Sequence, residues 1–387
     1  MTEQLNSSAI LSILELLIDH NEGDSLREAL EQLHNSAMLL ERARHLQANA
    51  YERTPNRKGQ ANGFKSKQLE TRVGTLDLRV PQVRDSSFYP SCLEKGCRSE
   101  RAYLLSLAEM YVQGVSTRKV TKIVEQMCGH EVSSTEVSRA CQLLDESLMQ
   151  WRDRPLGEIV YLYLDARYEK VRHAGHVVDC AVLCASGVDG DGFRHLLGVF
   201  VALSEAEAHW RSFLEALLSR GMQGVKLIIS DAHSGLKAAK TAVLPSVPWQ
   251  RCHFHLQQNV QSHIPTIGLK KPVGEAVRSV LTAPDLETAK QLLNKAVKQY
   301  EEKAPGLAAW LEKNIPEGFS HFSFPSAHYR KIRTNNMLER VNREIKRRTR
   351  VAGLFPNESS CLRLVTAVIA EISDEWTAGK RYLVMNE

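Results

Sequence analysis

The chain lacks any uninterrupted run of about 18 apolar residues, the length a membrane-spanning helix requires, so no membrane span is expected. Its start, MTEQLNSSAILSILELLIDHNEGD, lacks a basic stretch ahead of the apolar run, and Glu15 and Asp19 interrupt that run, so no secretory signal is expected either. Charge of one sign is also lacking. Lys and Arg number 50 against 45 Asp and Glu, and a net +5 is too small to name a polyanionic partner unless the cations are clustered. The eight cysteines form no repeated Cys-x-x-Cys frame; Cys92/Cys97 and Cys180/Cys184 are isolated pairs, expected to be reduced thiols packed as small hydrophobes rather than a zinc site. No repeat of fixed period and no low-complexity tract occurs. With 43% hydrophobic and 25% charged residues the chain is of ordinary globular composition, and 387 residues leave room for two or three domains.

The cations are in fact clustered. Residues 1–32 hold seven acids and one Arg, residues 41–101 hold 13 Lys/Arg and 7 Asp/Glu, and the densest basic run, KIRTNNMLERVNREIKRRTR (331–350), holds eight cations and two acids. A helical N-terminal segment is expected over 1–52, with a polar helix from 24. Turn formers and a short β-like run, TRVGTLDLRVPQV, follow in 53–100. Helical period returns over 101–150, where two short helices joined by CGHEVS, with Ser116 and Ser133 or Ser134 as N-caps, suit a helix-turn-helix. The same pattern suits a three-helix packing unit that touches no DNA. On the DNA-binding reading, 53–154 is a recognition region with Arg118 and Lys119 among its contacts.

From about 155 the pattern changes. GEIVYLYLDARY contains the apolar run Ile159–Leu164 ending in Asp165, which reads as a strand buried on both faces. Two strand-like runs flank the turn VDGDG. Ser204 with Glu207 then suggests a capping box opening a helix to about Arg220. VKLIISD is a second core strand, SGLKAAKTAVL a helix, and PWQRCHFH (248–255) a third core strand; a long helical stretch runs from 256 to about 313, and a last helix begins near Thr334. Three strands before the first helix argue against a dinucleotide-binding unit, which alternates from the outset. The order suits an α/β fold with a ribonuclease H-like mixed sheet flanked by helices over 155–387, carrying a helical insertion at about 256–330.

Asp165 and Asp231 each end a core strand, where active sites of open α/β sheets lie. One such Asp usually just caps a turn. Two on adjacent strands can converge, and like charges held close call for a cation; magnesium is satisfied by one or two carboxylates with waters and phosphate oxygens. A third acid is sought on the basic helix. At about 100° per residue, Leu338, Val341 and Ile345 form its core stripe, and Glu339 shares the flank with Asn335, Asn342, Arg343 and Lys346. Glu339 could equally be an exposed partner of Arg343. The helix alone does not choose.

YLYLDARYEKVR, LIISDAHSGLKAA, RCHFHLQQNV and RTNNMLERVNREIKRRTRVAGLFPNESS, in this order, resemble the sequence blocks of the Mutator-type (IS256-family) bacterial DDE transposases, and the similarity spans essentially the whole chain. The resemblance implies a catalytic and metal-binding triad of Asp165, Asp231 and Glu339, two Mg²⁺ ions (Mn²⁺ as substitute), and a Cys-x-x-His signature matched by Cys252 and His255. The basic helix would contact phosphates through Arg340, Arg343, Lys346, Arg347 and Arg348. His233 is a candidate supporting residue, Cys252 and His255 are expected in the core and near the acids, and Trp210 and Trp310 read as core anchors, with base stacking the alternative for Trp310. The implied substrate is double-stranded DNA, as terminal inverted repeats and as target, bound by a homodimer or higher oligomer of a cytoplasmic, nucleoid-associated protein. Two rivals share these residues: a ribonuclease H-like nuclease or resolvase that cuts without joining, and a non-catalytic DNA-binding regulator derived from a transposase.

Overall fold

The structure is a computed structural model that describes residues 25–84, 87–129, 131–377 and 379–385. The first 24 residues of the expected N-terminal helical segment lie outside the described residues. The chain divides into two compact units, 1–144 and 145–387. Among the described residues no helix is long and apolar enough to cross a membrane.

In the first unit a helix, Ser25–Leu46, packs against an antiparallel hairpin of β1 (Ala61–Thr71) and β2 (Gly74–Val83). Leu76, Leu78 and Val80 alternate along β2 and bury one face with Met38 and Leu93, as a half-buried strand requires. Helices Arg101–Val112, Thr117–Cys128 and Ser134–Gln142 follow around Tyr103, Leu107, Val120, Val124 and Val137. Ser116 accepts the Lys119 N–H, Gly129 closes the second helix at φ 68°, and Ser133 forms a capping box with Glu136. The two short helices expected here are thus N-capped by side chains, Ser116 for the first and Ser133 for the second.

The second unit is mixed α/β. Strands β3 (Tyr161–His173), β4 (His176–Val188), β5 (Arg194–Ala202), β6 (Leu227–Ser230) and β7 (Trp249–Arg251) form one sheet in the order β5-β4-β3-β6-β7. β4 runs antiparallel to both β3 and β5, while β6 runs parallel to β3 and to β7. Helices Glu207–Ser219 and Ser234–Val243 seal one face through Trp210, Phe213, Leu214 and Leu236 against Leu162, Leu164, Leu183 and Ile228. Trp210 is the core anchor expected of it.

Three expectations need correction. The strand over 248–255 stops at Arg251, because Cys252 turns the chain into a helix, His253–Val260, whose Leu256 and Val260 serve the core of the insertion. Ser204 and Glu207 form no capping box. Ala206 is the N-cap, the Ser204 carbonyl holds His209 Nδ1 at 2.8 Å, and Glu207 pairs with Arg211 at 2.6 Å. The stretch 256–313 is not one long helix: Lys270–Leu281, Leu286–Glu301 (capped by Asp285) and Pro305–Asn314 follow His253–Val260 as separate segments around their own core. Trp310 is half-buried against that core and stacks on His263 at 5.1 Å. After the helix Asn336–Ala352 comes one that the hydrophobic pattern had not singled out, Glu358–Thr377, lying on β3 and β5.

Candidate active site

The parallel register of β3 and β6 decides the geometry of the first two acids. Tyr161, Leu162 and Tyr163 face Leu227, Ile228 and Ile229, so two steps further along both chains Asp165 comes level with Asp231. Neighbouring strands lie about 4.8 Å apart, which sets both residues at the rim where β6 ends; β3 itself runs on to His173 against β4, so Asp165 lies within its strand and not at the strand end expected of it. The next strand keeps the same register, with Ser230 facing Arg251 and the Cys252 N–H bonded to the Ser230 carbonyl at 2.7 Å. Cys252 therefore sits level with the aspartates but inside the core.

The basic helix is fastened to this rim at its first turns. Asn335, fully buried at its N-cap, donates through Nδ2 to the Leu164 carbonyl at 3.0 Å and through its N–H to Cys252 Sγ at 3.3 Å. Asn342 Nδ2 donates to Asp165 Oδ2 at 2.8 Å, and Arg167 bonds the Asn342 carbonyl. Glu339 lies between these asparagines on one flank, spaced by four and three residues. Leu338, Val341 and Ile345 are buried as the expected core stripe. The two asparagines are the fastening residues that chemistry-bearing motifs do not reveal, although their spacing from Glu339 marks them.

Electrostatics ties the three acids together. Asp165, only 9% exposed, has its carboxyl pushed up to about 7, first by burial and then by Asp231, with a smaller contribution from Glu339; the Ala166 N–H and Asn342 pull the other way. Among the described residues no three His, Cys, Asp or Glu side chains close into a ready-made metal cage. The donor set nonetheless suits a hard cation. Its members are carboxylate and amide oxygens, and Glu339 Oε1 and Asn342 Oδ1 are buried without a hydrogen-bond partner.

Because the native state binds a proton at Asp165 more readily than the unfolded chain does, this group weakens the metal-free fold as pH rises from about 4 to about 7, the full effect lying above that window. In chelator, Asp165→Asn is expected to gain stability over the parent protein progressively across this range, measured by urea denaturation. A difference independent of pH would refute the burial of that charge.

The remaining candidates fall in varied places. His233 is the N-cap of Ser234–Val243; its N–H donates to Asp231 Oδ1 at 3.3 Å, and its Nδ1 lies 3.7 Å from Glu205. His255 Nδ1 is buried without a hydrogen-bond partner. Burial holds the Cys252 thiol up at about 11, so it is neutral and packed rather than a ready zinc ligand. Arg340, Arg343 and Lys346 are exposed, as are Arg118 and Lys119 in the first unit, while Arg347 is exposed but paired with Glu344 at 2.9 Å. Arg348 does not belong with them. It continues the buried stripe three residues after Ile345 and pairs with Glu371 on the next helix at 3.0 Å, which corrects its assignment as a phosphate contact.

The sequence model described as Transposase, Mutator family matches residues 1–379. A transposase for insertion sequence element IS406 from Burkholderia multivorans is 55% identical, covering 94% of each chain. One for ISRM5 from Rhizobium meliloti is 42% identical over 100% of this chain and 97% of that one. One for IS256 in transposon Tn4001 from Staphylococcus aureus is 37% identical over 97% and 96%. Among solved structures, a simian T-cell lymphotropic virus intasome in complex with PP2A regulatory subunit B56 gamma covers 53% of this chain and 66% of the matched chain at 11% identity, but its TM-score of 0.17 carries no argument. Similarity at this level, end to end over both halves of the chain, means that the protein belongs to the Mutator family of transposases.

Proposed function

We propose that the protein cleaves and joins DNA strands at the terminal inverted repeats of an insertion sequence, with Asp165, Asp231 and Glu339 as the catalytic carboxylates of a ribonuclease H-like domain. The observation that carries this reading is the shared rim: strand register aligns Asp165 with Asp231, and the Asn335 and Asn342 hydrogen bonds hold the Glu339 helix against the same strand. The mixed sheet order, three antiparallel strands followed by two parallel ones, supports the fold assignment.

The three carboxylates would hold two divalent ions, Mg²⁺ or Mn²⁺, which when bound activate a water or a DNA 3′-hydroxyl and stabilise the leaving oxygen. Asp165 feels the charge of both other acids and would hold the ions together with them. Asn342 restrains Asp165 Oδ2 at 2.8 Å and the Ala166 N–H restrains Oδ1 at 3.1 Å, so both oxygens are held in position. Arg340, Arg343 and Lys346 supply positive charge along the adjoining helix surface, where the phosphodiester would lie. No side chain needs to form a covalent bond to DNA. The helix-turn-helix of the first unit, with Arg118 and Lys119 exposed, is the proposed reader of the terminal repeats, in a homodimer or higher oligomer assembled on DNA.

Joining separates this reading from a resolvase. Given terminal-repeat duplexes already cut to expose a 3′-hydroxyl, plus a supercoiled plasmid and Mg²⁺, the protein is expected to yield covalently joined products. Nicking of the plasmid without joining would favour the resolvase, and neither product would favour the non-catalytic regulator.

A further inference from the structure

Beside the catalytic rim, tertiary folding collects five cations from distant parts of the sequence: Arg194 at the start of β5, Arg330, Lys331 and Arg333 just before the basic helix, and Arg340 within it. Arg194 and Lys331 share one aromatic ring. The Arg194 guanidinium lies 5.8 Å and the Lys331 Nζ 4.1 Å from the centroid of Tyr382, and Arg194 also covers Trp376 at 4.4 Å. These rings are held in place. The Tyr382 N–H donates to the Gly192 carbonyl at 2.8 Å, and His328 links the Tyr161 hydroxyl at 2.7 Å to the Val384 carbonyl at 2.8 Å.

Among the described residues none of the five cations forms an ion pair, although surface cations elsewhere in the unit do, such as Arg211 with Glu207 and Lys237 with Glu317. Glu375 acts on Arg194 only at longer range. Arg194, Lys331 and Arg333 all titrate below their ordinary ranges, first through burial and then through one another: Arg340 acts on Arg194, Arg330 and Arg194 on Lys331, and Arg330 on Arg333. A fold that gathers like charges, backs two of them with aromatic faces and pairs none of them in a salt bridge among the described residues suits an external polyanion.

We propose that Arg194, Arg330, Lys331, Arg333 and Arg340 form a phosphate-backbone track for duplex DNA, seated on Tyr382 and Trp376 and leading to the acids at the rim. The track rests on the DNA-processing reading but extends it to residues outside the basic run, and to the C-terminal strap that positions Tyr382. Backbone contacts of this kind position DNA without reading its sequence, so a random-sequence duplex is the appropriate probe.

The test is a salt titration of duplex binding by the full chain. Each phosphate contact contributes about 0.9 to the log–log salt slope, so Arg194→Gln/Lys331→Gln should lower the slope by about 1.8 and weaken binding roughly 30-fold at 0.15 M salt. Arg330→Gln/Arg333→Gln, whose side chains sit on no ring, should do the same and keeps the test valid if the first pair disturbs folding. Lys295→Gln/Lys298→Gln, exposed on the insertion, should change neither quantity. An unchanged slope in the Arg330/Arg333 variant, or an equal fall in the Lys295/Lys298 variant, overturns the track. The catalytic assignment fails separately, through retained cleavage in Asp165→Asn, which leaves this slope untouched.

Discussion

Asp165→Asn, Asp231→Asn and Glu339→Gln are each expected to lower strand cleavage and joining roughly a thousand-fold or more, with DNA binding left within a small factor of the parent protein. The magnitude follows from the chemistry. Metal-ion stabilisation of the developing charge is worth several kcal/mol, and each 1.36 kcal/mol is about tenfold in rate. Binding survives because contact with the phosphate backbone comes from cations, and removing one negative charge from the rim does not weaken it. The three substitutions also differ in a way that geometry dictates. Asp165 is buried and crowded by the other two acids, so its replacement relieves repulsion and should raise metal-free stability most, while Asp231 is more exposed. The measurement pairs a plasmid-cleavage assay with a gel shift on the same preparations. Cleavage retained by any one variant removes that residue from the triad.

Two arginines five positions apart on one helix are expected to behave in opposite ways. Arg348→Ala should cost about 2 kcal/mol of stability, since it strips packing from a side chain only 6% exposed and removes its ion pair with Glu371. The cost stays below that of a fully buried pair because the Glu371 side chain is 40% exposed and can be hydrated. Its salt slope for DNA binding should match the parent protein. Arg343→Ala, on the exposed face, should leave the denaturation midpoint within about 0.5 kcal/mol. It should lower the salt slope by about 0.9. Denaturation and salt titration together decide the matter, and a fall in slope for Arg348→Ala without loss of stability would return that residue to the DNA-contacting set.

Much of the second unit was legible because its signals are local and strong. Short apolar runs rich in β-branched and aromatic residues read as core strands, and the stripe Leu338, Val341, Ile345 orients the basic helix whatever packs against it. Where the reading slipped, the signal was local but its competitor was tertiary. Ser204 lost its expected cap to His209 and Glu207 to Arg211, and PWQRCHFH ended as a strand early because its second half is needed by the core of the insertion. Arg348 looked like its basic neighbours, since a run of cations does not say which of them turns inward.

Residue types, their periods and their order along the chain by themselves determined that Asp165 and Asp231 would each follow a buried strand run, and that a basic helix would carry Glu339. These follow from backbone hydrogen bonding and burial, which act within one element at a time. That β3 runs on past Asp165 to His173 was not legible. Only the tertiary structure decided that Asn335 and Asn342 fasten that helix to the rim, that Arg348 belongs to Glu371, and that Arg194 joins cations more than 130 positions away. Such pairings depend on which elements meet, and charge and hydrogen-bonding capacity act across whatever distance in sequence the fold has closed.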